Sequence, residues 1–149
     1  RFLALRFFTV YGPGQRPDLA IHKFTKAILK GKPMPVYGDG STSRDYTFVK
    51  DTVQGIIGAI NYDKTDFEVV NLGNSDTVSL KELIAAIEET VGKKAIIEQH
   101  PDQPGDVPRT FADIAKAKKL FGYDPHTKIK PGLAEFYKWF QENSELLMK

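Results

Sequence analysis

The chain has 149 residues, of which 41% are hydrophobic and 27% charged, and a formal net charge of +2, as expected for one globular domain with a substantial core. This small charge, without any run of four basic residues, argues against nucleic acid as a partner. The lack of cysteine excludes disulfides and thiolate chemistry, and no apolar stretch is long enough to cross a bilayer, so we expect a cytoplasmic protein without membrane contact.

The first predicted element is a strand at residues 3–8, an apolar run interrupted only by Arg6 and typical of a strand covered on both faces. Because the chain starts inside this run, we expect a piece of a longer polypeptide whose missing part lies on the N-terminal side. Asp18 is predicted to cap a helix that ends near Lys30, before Gly31.

Two short strands are predicted next, at residues 35–37 and 45–49, around the turn-rich loop GDGSTSR. Asp51 is predicted to cap a second helix. Its inward face is predicted from the i, i+3, i+4, i+7 spacing of Val53, Ile56, Ile57 and Ile60.

The second half repeats this alternation. Strands are predicted at residues 67–72 and 95–99, and Ser79 with Glu82 forms the pattern of a capping box at the start of a helix. Asp113 is predicted to cap a short helix that ends at Gly122, and Pro131 to begin the last helix. Strands separated by helices predict a mostly parallel α/β fold.

The segment after the first strand is a candidate anion site. A hydroxyl at Thr9, a guanidinium at Arg16 and the start of a helix follow one another, and helix N-termini and arginine both favour phosphate or carboxylate. The alternative, equally open on spacing alone, is that Arg16 simply pairs with Asp18.

Two further loops carry charged residues that could serve a ligand. The stretch YGDGSTSRDY has two glycines that let a ligand approach the backbone, and it presents Arg44 just before a strand. The stretch DQPGDVPRTFAD carries Asp102, Asp106 and Arg109, for which a structural, salt-bridged loop is the simpler interpretation.

Several other chemistries are disfavoured. His22, His100 and His126 lie far apart without metal-ligand spacing, so no metal site is predicted. The sequence contains no nucleophile elbow, P-loop or Gly-rich dinucleotide fingerprint. The residues by themselves therefore indicate an α/β chain with an anion-binding loop.

Three separated stretches resemble, in this order, the C-terminal half of the NAD-dependent nucleotide-sugar epimerase/dehydratase family, extended members of the short-chain dehydrogenase/reductase superfamily. They are RFFTVYGPGQRPDLA, VYGDGSTSRDYTFVKDTVQGI, and VVNLGNSDTVSLKELI followed by QPGDVPRTFAD. Within that family, T-V-Y-G-P followed by Q-R-P-D-x-A is most similar to UDP-glucuronate 4-epimerases.

The resemblance implies that residues 1–149 contribute the C-terminal part of a Rossmann-type sheet, through strands 3–8 and 67–72, plus the smaller substrate-binding α/β domain. The Gly-rich loop and the catalytic Tyr-x-x-x-Lys pair would lie before residue 1, so no catalytic residue is expected here and the chain alone is expected to be inactive. In the intact enzyme, a homodimer, NAD would oxidise C4 of the sugar transiently and return the hydride to the opposite face.

The same resemblance implies roles for individual residues. Thr9 and Arg16 would contact the sugar, and Arg16 would pair with the carboxylate of glucuronate. A neutral hexose has no such carboxylate and would leave Arg16 unpaired. The remaining implied contacts are Ala20 and Arg44 with the diphosphate, Val36 and Tyr37 with uracil, Asp106 with the ribose or Arg44, and Phe7 with the nicotinamide. Related galactose epimerases have an arginine where Gln103 stands, so more of the phosphate binding would fall to Arg44. The role of Arg109 stays open.

Two alternatives remain beside a UDP-glucuronate epimerase. One is a family member for another sugar, a UDP-hexose epimerase or dTDP-glucose dehydratase. The other is a non-catalytic nucleotide-binding module, which should be a monomer. A half-enzyme that exposes Phe2, Leu3 and Phe7 should instead self-associate.

Overall fold

Strands and helices alternate along the computed structural model, which describes residues 1–148. The strands are β1 (Phe2–Phe7), β2 (Thr9–Tyr11), β3 (Pro33–Tyr37), β4 (Ser43–Arg44), β5 (Tyr46–Phe48), β6 (Phe67–Leu72), β7 (Val78–Ser79) and β8 (Ile96–His100). The helices are α1 (Ala20–Lys30), α2 (Val49–Ile60), α3 (Leu80–Val91), α4 (Ala115–Phe121), α5 (Ile129–Glu142) and α6 (Ser144–Leu147). No helix within residues 1–148 has both the length and the apolar character needed to span a membrane.

The strands form two-stranded sheets that are parallel in three of four cases. β1 pairs with β6, β2 with β5 and β3 with β8, all parallel, whereas β4 and β7 are antiparallel. Each parallel pair joins segments separated by at least one helix, as crossover connections require. The predicted parallel α/β class is therefore confirmed.

The main core lies between helices α1, α3 and α5 and strand β3. Its largest buried members are Tyr11, Ile21, Phe48, Met34, Leu83, Ile87, Leu133, Phe136 and Phe140. A smaller cluster joins β6 to α4 through Val70, Leu72, Ala117 and Tyr123. The clefts described below open beside this core, so their backbone rests on packed elements.

The predicted inward face of α2 is wrong. Val53, Ile57 and Ile60 are exposed, Ile60 to 75%, and only Ile56 packs partly against the smaller cluster. The helix instead buries its small residues, because a Cβ at Gly55 would lie 2.8 Å from the Tyr123 ring and 2.9 Å from Leu72. Because α2 packs closely through its small residues, its larger apolar side chains face away from the core.

Within residues 1–148, β1 is not covered on both faces, and the exposure expected for a half-enzyme is present at Phe2 and Phe7 but not at Leu3, which is half-buried. Phe2 and Phe7 are exposed, and Phe2 stacks on the equally exposed Phe67 of β6 with ring centroids 5.9 Å apart. An apolar face of the β1–β6 pair is therefore open, although β6 itself has the predicted boundaries.

Predicted helix caps were right where two side chains cooperate. At the start of α3 the Ser79 hydroxyl accepts from the Glu82 amide and the Glu82 carboxylate accepts from the Ser79 amide. Asp18 and Asp51 were wrong as caps, because α1 follows Leu19 and α2 follows Phe48 without a side-chain cap. Asp51 lies in the first turn of α2, where its carboxylate accepts from the amide of Thr127 at 3.0 Å.

The ends of the remaining elements differ slightly from prediction. α4 follows Ile114, although the predicted cap Asp113 does accept a hydrogen bond from the Ala115 amide at 2.9 Å. α5 starts at Ile129, two residues before Pro131, and β8 is displaced by one residue from the predicted strand 95–99. Such end shifts leave the packing faces of these elements unchanged.

His22 of α1 makes stability depend on pH. The side chain is fully buried against Phe136 and Phe140, and neither ring nitrogen has a hydrogen-bond partner within residues 1–148. Burial, and secondly the charge of Lys26, lower the pKa of His22 from 6.5. Around and below pH 6.5 the unfolded chain therefore binds more protons at His22 than the folded one. As the pH is lowered, the free energy of unfolding decreases until the pH lies below the pKa of His22 in the folded state.

We therefore expect the unfolding free energy, measured in urea, to be lower at pH 5.5 than at pH 7.5. His22→Phe should remove much of this difference, whereas His126→Gln, at an exposed position, should keep it. An equal pH dependence in the wild type and His22→Phe would contradict this assignment.

Candidate functional site

Two clefts open at the C-terminal ends of β2 and β3, where parallel α/β proteins bind ligands. The first, of about 250 Å³, is lined by residues 10–16 with Leu19 and Val49. The second, of about 540 Å³, is lined by Tyr37, Asp39, Ser41, Thr42, Asp102, Gln103, Asp106 and Pro108. β2, whose end lines the first cleft, pairs with β5, which starts two residues after Arg44.

The backbone of the first cleft is held by local hydrogen bonds. The Gln15 amide donates to the Gly12 carbonyl at 3.1 Å, and the Gln15 side chain donates to the Val10 carbonyl at 3.3 Å. Thr9 starts β2 and donates its amide to the Asp45 carbonyl at 3.1 Å. The loop that carries Arg16 is thus anchored at both of its turns.

Arg16 lies at the rim of the first cleft and is 72% exposed. Its Nη2 donates to the Asp18 carboxylate at 3.0 Å, so the pairing that the sequence left open is present. Ala20 follows as the first residue of α1, whose start carries no side-chain cap within residues 1–148. The amides of that first turn therefore present a positive dipole end beside the Arg16 loop.

The start of α3, by contrast, is already occupied. The Leu80 amide donates to the Thr42 carbonyl at 2.9 Å and the Lys81 amide to the Gly40 carbonyl at 3.1 Å. With the capping box in addition, these amides are not available to an anion. Of these two helix starts, α1 is the one open to a ligand.

The second cleft has an aromatic wall. Tyr37, 43% exposed, lies beside His100 with ring centroids 5.3 Å apart, at paired positions of β3 and β8. Val36 is buried, and its carbonyl accepts from the Gln99 side chain at 3.2 Å. Gly38 is required at the strand end, because its φ is +65° and a Cβ would lie 2.1 Å from the Asp102 carboxylate.

Asp106 of the same cleft forms a charged pair with Arg44. Arg44 Nη2 donates to Asp106 Oδ1 at 2.5 Å, and its Nη1 donates to the Ser43 carbonyl at 2.8 Å. The Arg44 side chain is only 21% exposed, so its orientation is restricted. Gln103 joins the same loop, because its carbonyl accepts from the Asp106 amide at 3.1 Å.

The predicted site residues therefore divide into two groups. Tyr37, Gln103 and Asp106 line the second cleft, and Arg44 adjoins it through its hydrogen bond to Asp106. Arg16 lines the first cleft, whereas Thr9 and Ala20 precede and follow lining residues without lining it themselves. Phe7 lines neither cleft and is exposed at the end of β1. Residues 1–148 contain no group of three or more His, Asp or Glu side chains suited to a metal ion.

Asp45 is an organising residue that the sequence did not indicate. Its buried carboxylate accepts from the amides of Asn74, Ser75 and Ala112 and from the Thr47 hydroxyl, at 2.7 to 3.2 Å. It thereby fixes the loop after β6 and the segment after Arg109 against the strand that follows Arg44. A carboxylate directly before an apolar strand was the available signal, but its partners lie far away in sequence.

The sequence contains one literal Tyr-x-x-x-Lys, from Tyr46 to Lys50, in addition to the catalytic pair expected before residue 1. Tyr46 is buried in β5, and burial raises its pKa to about 12. Lys50 is exposed, points to Glu135 and lies 5.8 Å from the Phe48 ring. A buried, protonated phenol without its lysine cannot act as a base, so this pair is structural.

Arg109, whose role the sequence left open, belongs to the wall of β4. It forms a bridge with Ser43, and its guanidinium carbon lies 5.1 Å from the centre of the Phe111 ring. The neighbouring Thr110 amide donates to the Ser43 carbonyl at 3.1 Å. Arg109 thus stacks on an aromatic side chain beside the second cleft.

A family model described as GDP-mannose 4,6 dehydratase matches residues 2–136. The chain belongs to this family. An uncharacterized protein of Methanocaldococcus jannaschii is 48% identical over the whole chain, which spans 45% of that relative. The UDP-glucuronate 4-epimerase of Thermodesulfobacterium geofontis is 40% identical over 96% of this chain and 44% of its own length.

A solved structure of this family has the same fold. The UDP-glucuronic acid 4-epimerase of Bacillus cereus, in complex with UDP-glucuronic acid and NAD, is 37% identical with a TM-score of 0.86. The match covers 93% of this chain and 44% of that one. The chain thus spans somewhat less than half the length of these relatives, and the family resemblance and the Rossmann-type α/β class are confirmed.

Proposed function

We propose that the chain is the C-terminal, nucleotide-sugar-binding portion of an NAD-dependent epimerase that interconverts UDP-glucuronate and UDP-galacturonate. The observation that carries the proposal is a pair of arginines: Arg16 lines the first cleft, and Arg44 donates to Asp106, which lines the second. A UDP-uronate has two anionic groups, a diphosphate and a carboxylate, and a guanidinium suits each. In this proposal the intact enzyme is a cytoplasmic homodimer that binds neither nucleic acid nor membrane.

The second cleft takes the nucleotide in this proposal. The diphosphate lies between the two clefts, bound by Arg44 from the side of the second and by the amide of Ala20 from the side of the first. Asp106 accepts from the ribose hydroxyls while it holds Arg44. Tyr37 offers its exposed ring to uracil, beside the backbone of Val36. Support comes from the restricted position of Arg44 and from the open start of α1.

The first cleft takes the sugar. Thr9 provides a hydroxyl for hydrogen bonding, and Arg16 pairs with the carboxylate on C5. Gln103 replaces a charge near the diphosphate with a neutral amide, so Arg44 carries most of the phosphate binding. Firm binding of UDP with weaker, local sugar contacts leaves the sugar room to turn.

Phe7 is the residue of this chain that we propose to contact NAD. Its exposed ring at the end of β1 fits the flat, apolar contact that a nicotinamide requires. NAD, when bound, supplies the hydride acceptor and donor for the reversible oxidation at C4. The contribution of this chain is to bind and orient the UDP-sugar for that chemistry.

A neutral UDP-hexose is the second candidate substrate, and one observation favours it. Arg16 is exposed and already paired with Asp18, so a neutral sugar would not leave the guanidinium buried and unpaired. The penalty against hexoses expected from the sequence is therefore small. Discrimination between a uronate and a hexose must therefore come from the favourable interaction of the uronate carboxylate with Arg16.

Titration calorimetry of the chain with UDP, UDP-glucuronate and UDP-glucose tests the proposal. Arg16→Ala should weaken UDP-glucuronate about tenfold, the value of one charge-assisted hydrogen bond, and change UDP-glucose by less than about twofold. Arg6→Ala, an exposed arginine of β1, is the matched control and should change neither. Equal losses for both sugars with Arg16→Ala would exclude a carboxylate contact, and no binding of UDP would exclude the site.

A further inference from the structure

The ion pair between Arg16 and Asp18 places an internal carboxylate where a ligand carboxylate is needed. Arg16 lines the first cleft, whereas Asp18 does not. Nη2 of the guanidinium donates to Asp18 Oδ2 at 3.0 Å. In this state the guanidinium satisfies one carboxylate from the chain itself.

The backbone around this ion pair is held by a hydrogen-bonded turn, while its two side chains are exposed to solvent. The Leu19 amide donates to the Arg16 carbonyl at 3.3 Å, closing a turn with Pro17 between the two charged residues. The Arg16 and Asp18 side chains are 72% and 60% exposed, so neither is confined by packing. Exchange of partners therefore needs a rotation of the Arg16 side chain and no movement of the loop.

We propose that Asp18 is a specificity-determining residue, an internal counter-ion that the carboxylate of the sugar replaces on Arg16. This rests on the proposed function, since it requires a nucleotide sugar with a carboxylate in the first cleft. A neutral sugar has nothing to exchange for Asp18, so the ion pair persists. A uronate takes over the guanidinium and releases Asp18.

The released carboxylate has a favourable place to remain. Asp18 directly precedes Leu19, the residue before the first turn of α1, where the helix dipole favours negative charge. It is also well exposed to water, which solvates it. The exchange therefore costs only the modest attraction of an exposed ion pair.

Asp18→Asn tests this directly, because the amide keeps the size of the side chain and removes the competing charge. UDP-glucuronate should bind about two- to fivefold more tightly, as the loss of an exposed pair predicts, and UDP and UDP-glucose should bind unchanged. In the background of Arg16→Ala, Asp18→Asn should have no effect on UDP-glucuronate, because the group for which they compete is gone.

The matched control is Asp124→Asn, which removes the same charge from another exposed pair, with Lys118 at 3.5 Å, and should change no affinity. Unchanged or weaker binding of UDP-glucuronate by Asp18→Asn would overturn the proposal, because Asp18 would then be inert or would position Arg16. An effect that persists without Arg16 would also overturn it. Failure of the proposed function looks different: UDP would not bind, or Arg16→Ala would not separate the two sugars.

Discussion

Replacement of Asp45 by alanine is expected to lower the unfolding free energy by about 3 to 5 kcal/mol, as for other buried, fully paired charges that lose one partner. Three backbone amides and one hydroxyl now donate to this carboxylate, and alanine would leave them buried without acceptors. A loss of this size is a large part of the stability of a typical domain.

Asparagine at the same position separates hydrogen bonding from packing. Oδ1 accepts from Asn74 and from the Thr47 hydroxyl, and the hydroxyl can turn to accept from an amide group. If the NH₂ group introduced by Asp45→Asn takes the place of Oδ1, the only amide left facing a donor instead of an acceptor is that of Asn74. We expect its loss of stability to lie between those of the wild type and Asp45→Ala.

Urea unfolding followed by circular dichroism measures both variants. Asp124→Ala, an exposed aspartate in a surface pair, is the control and should leave the unfolding midpoint nearly unchanged. An Asp45→Ala protein with the midpoint of the wild type would mean that water or rearranged loops replace the carboxylate. Because Asp45 adjoins Arg44, weaker UDP binding should accompany the loss of stability.

The second large effect is expected from Arg44→Ala, which should weaken UDP by about 30-fold or more, the range for hydrogen bonds to charged groups. The guanidinium is held by Asp106 and the Ser43 carbonyl, so its orientation toward a phosphate is set before binding. Arg44→Lys keeps the charge but loses the planar fork, so about a fivefold loss is expected.

Comparison of UDP with uridine makes this test specific. Uridine lacks the diphosphate, so Arg44→Ala should leave its affinity unchanged while that of UDP falls. Arg6→Ala in β1 again controls for the loss of a positive charge. Equal effects on uridine and UDP would contradict a diphosphate contact and would indicate that Arg44 mainly supports the cleft wall.

Local signals in the sequence predicted several elements well. The apolar run of β6, the reciprocal pair Ser79 and Glu82, and the glycine after α3 each depend on residues within a few positions of one another. The arginines of both clefts were also found, because each stands in a turn-rich loop beside a strand or helix. These features need no knowledge of distant parts of the chain.

Predictions failed where a residue has two possible partners. Asp18 binds Arg16 instead of capping α1, and Asp51 accepts from Thr127 instead of capping α2. The apolar spacing of α2 predicted a buried face, but its small residues pack against Tyr123 and Leu72 instead. In each case the sequence pattern was compatible with both outcomes.

The sequence by itself determined the parallel α/β class, the order of the longer elements and the arginine-bearing segments, because periodicity, turns and caps act over a few residues. It did not predict the short elements β2, β4, β7 and α6. The tertiary structure alone decided which face of α2 is buried, that Arg16 carries an internal counter-ion, and that Asp45 gathers amides from residues 74, 75 and 112. The contacts of Asp45 join segments that are distant in sequence, and no local pattern records their meeting. Arg16 and Asp18 are only two residues apart, so there the sequence allowed either the ion pair or a helix cap, and the structure has the ion pair.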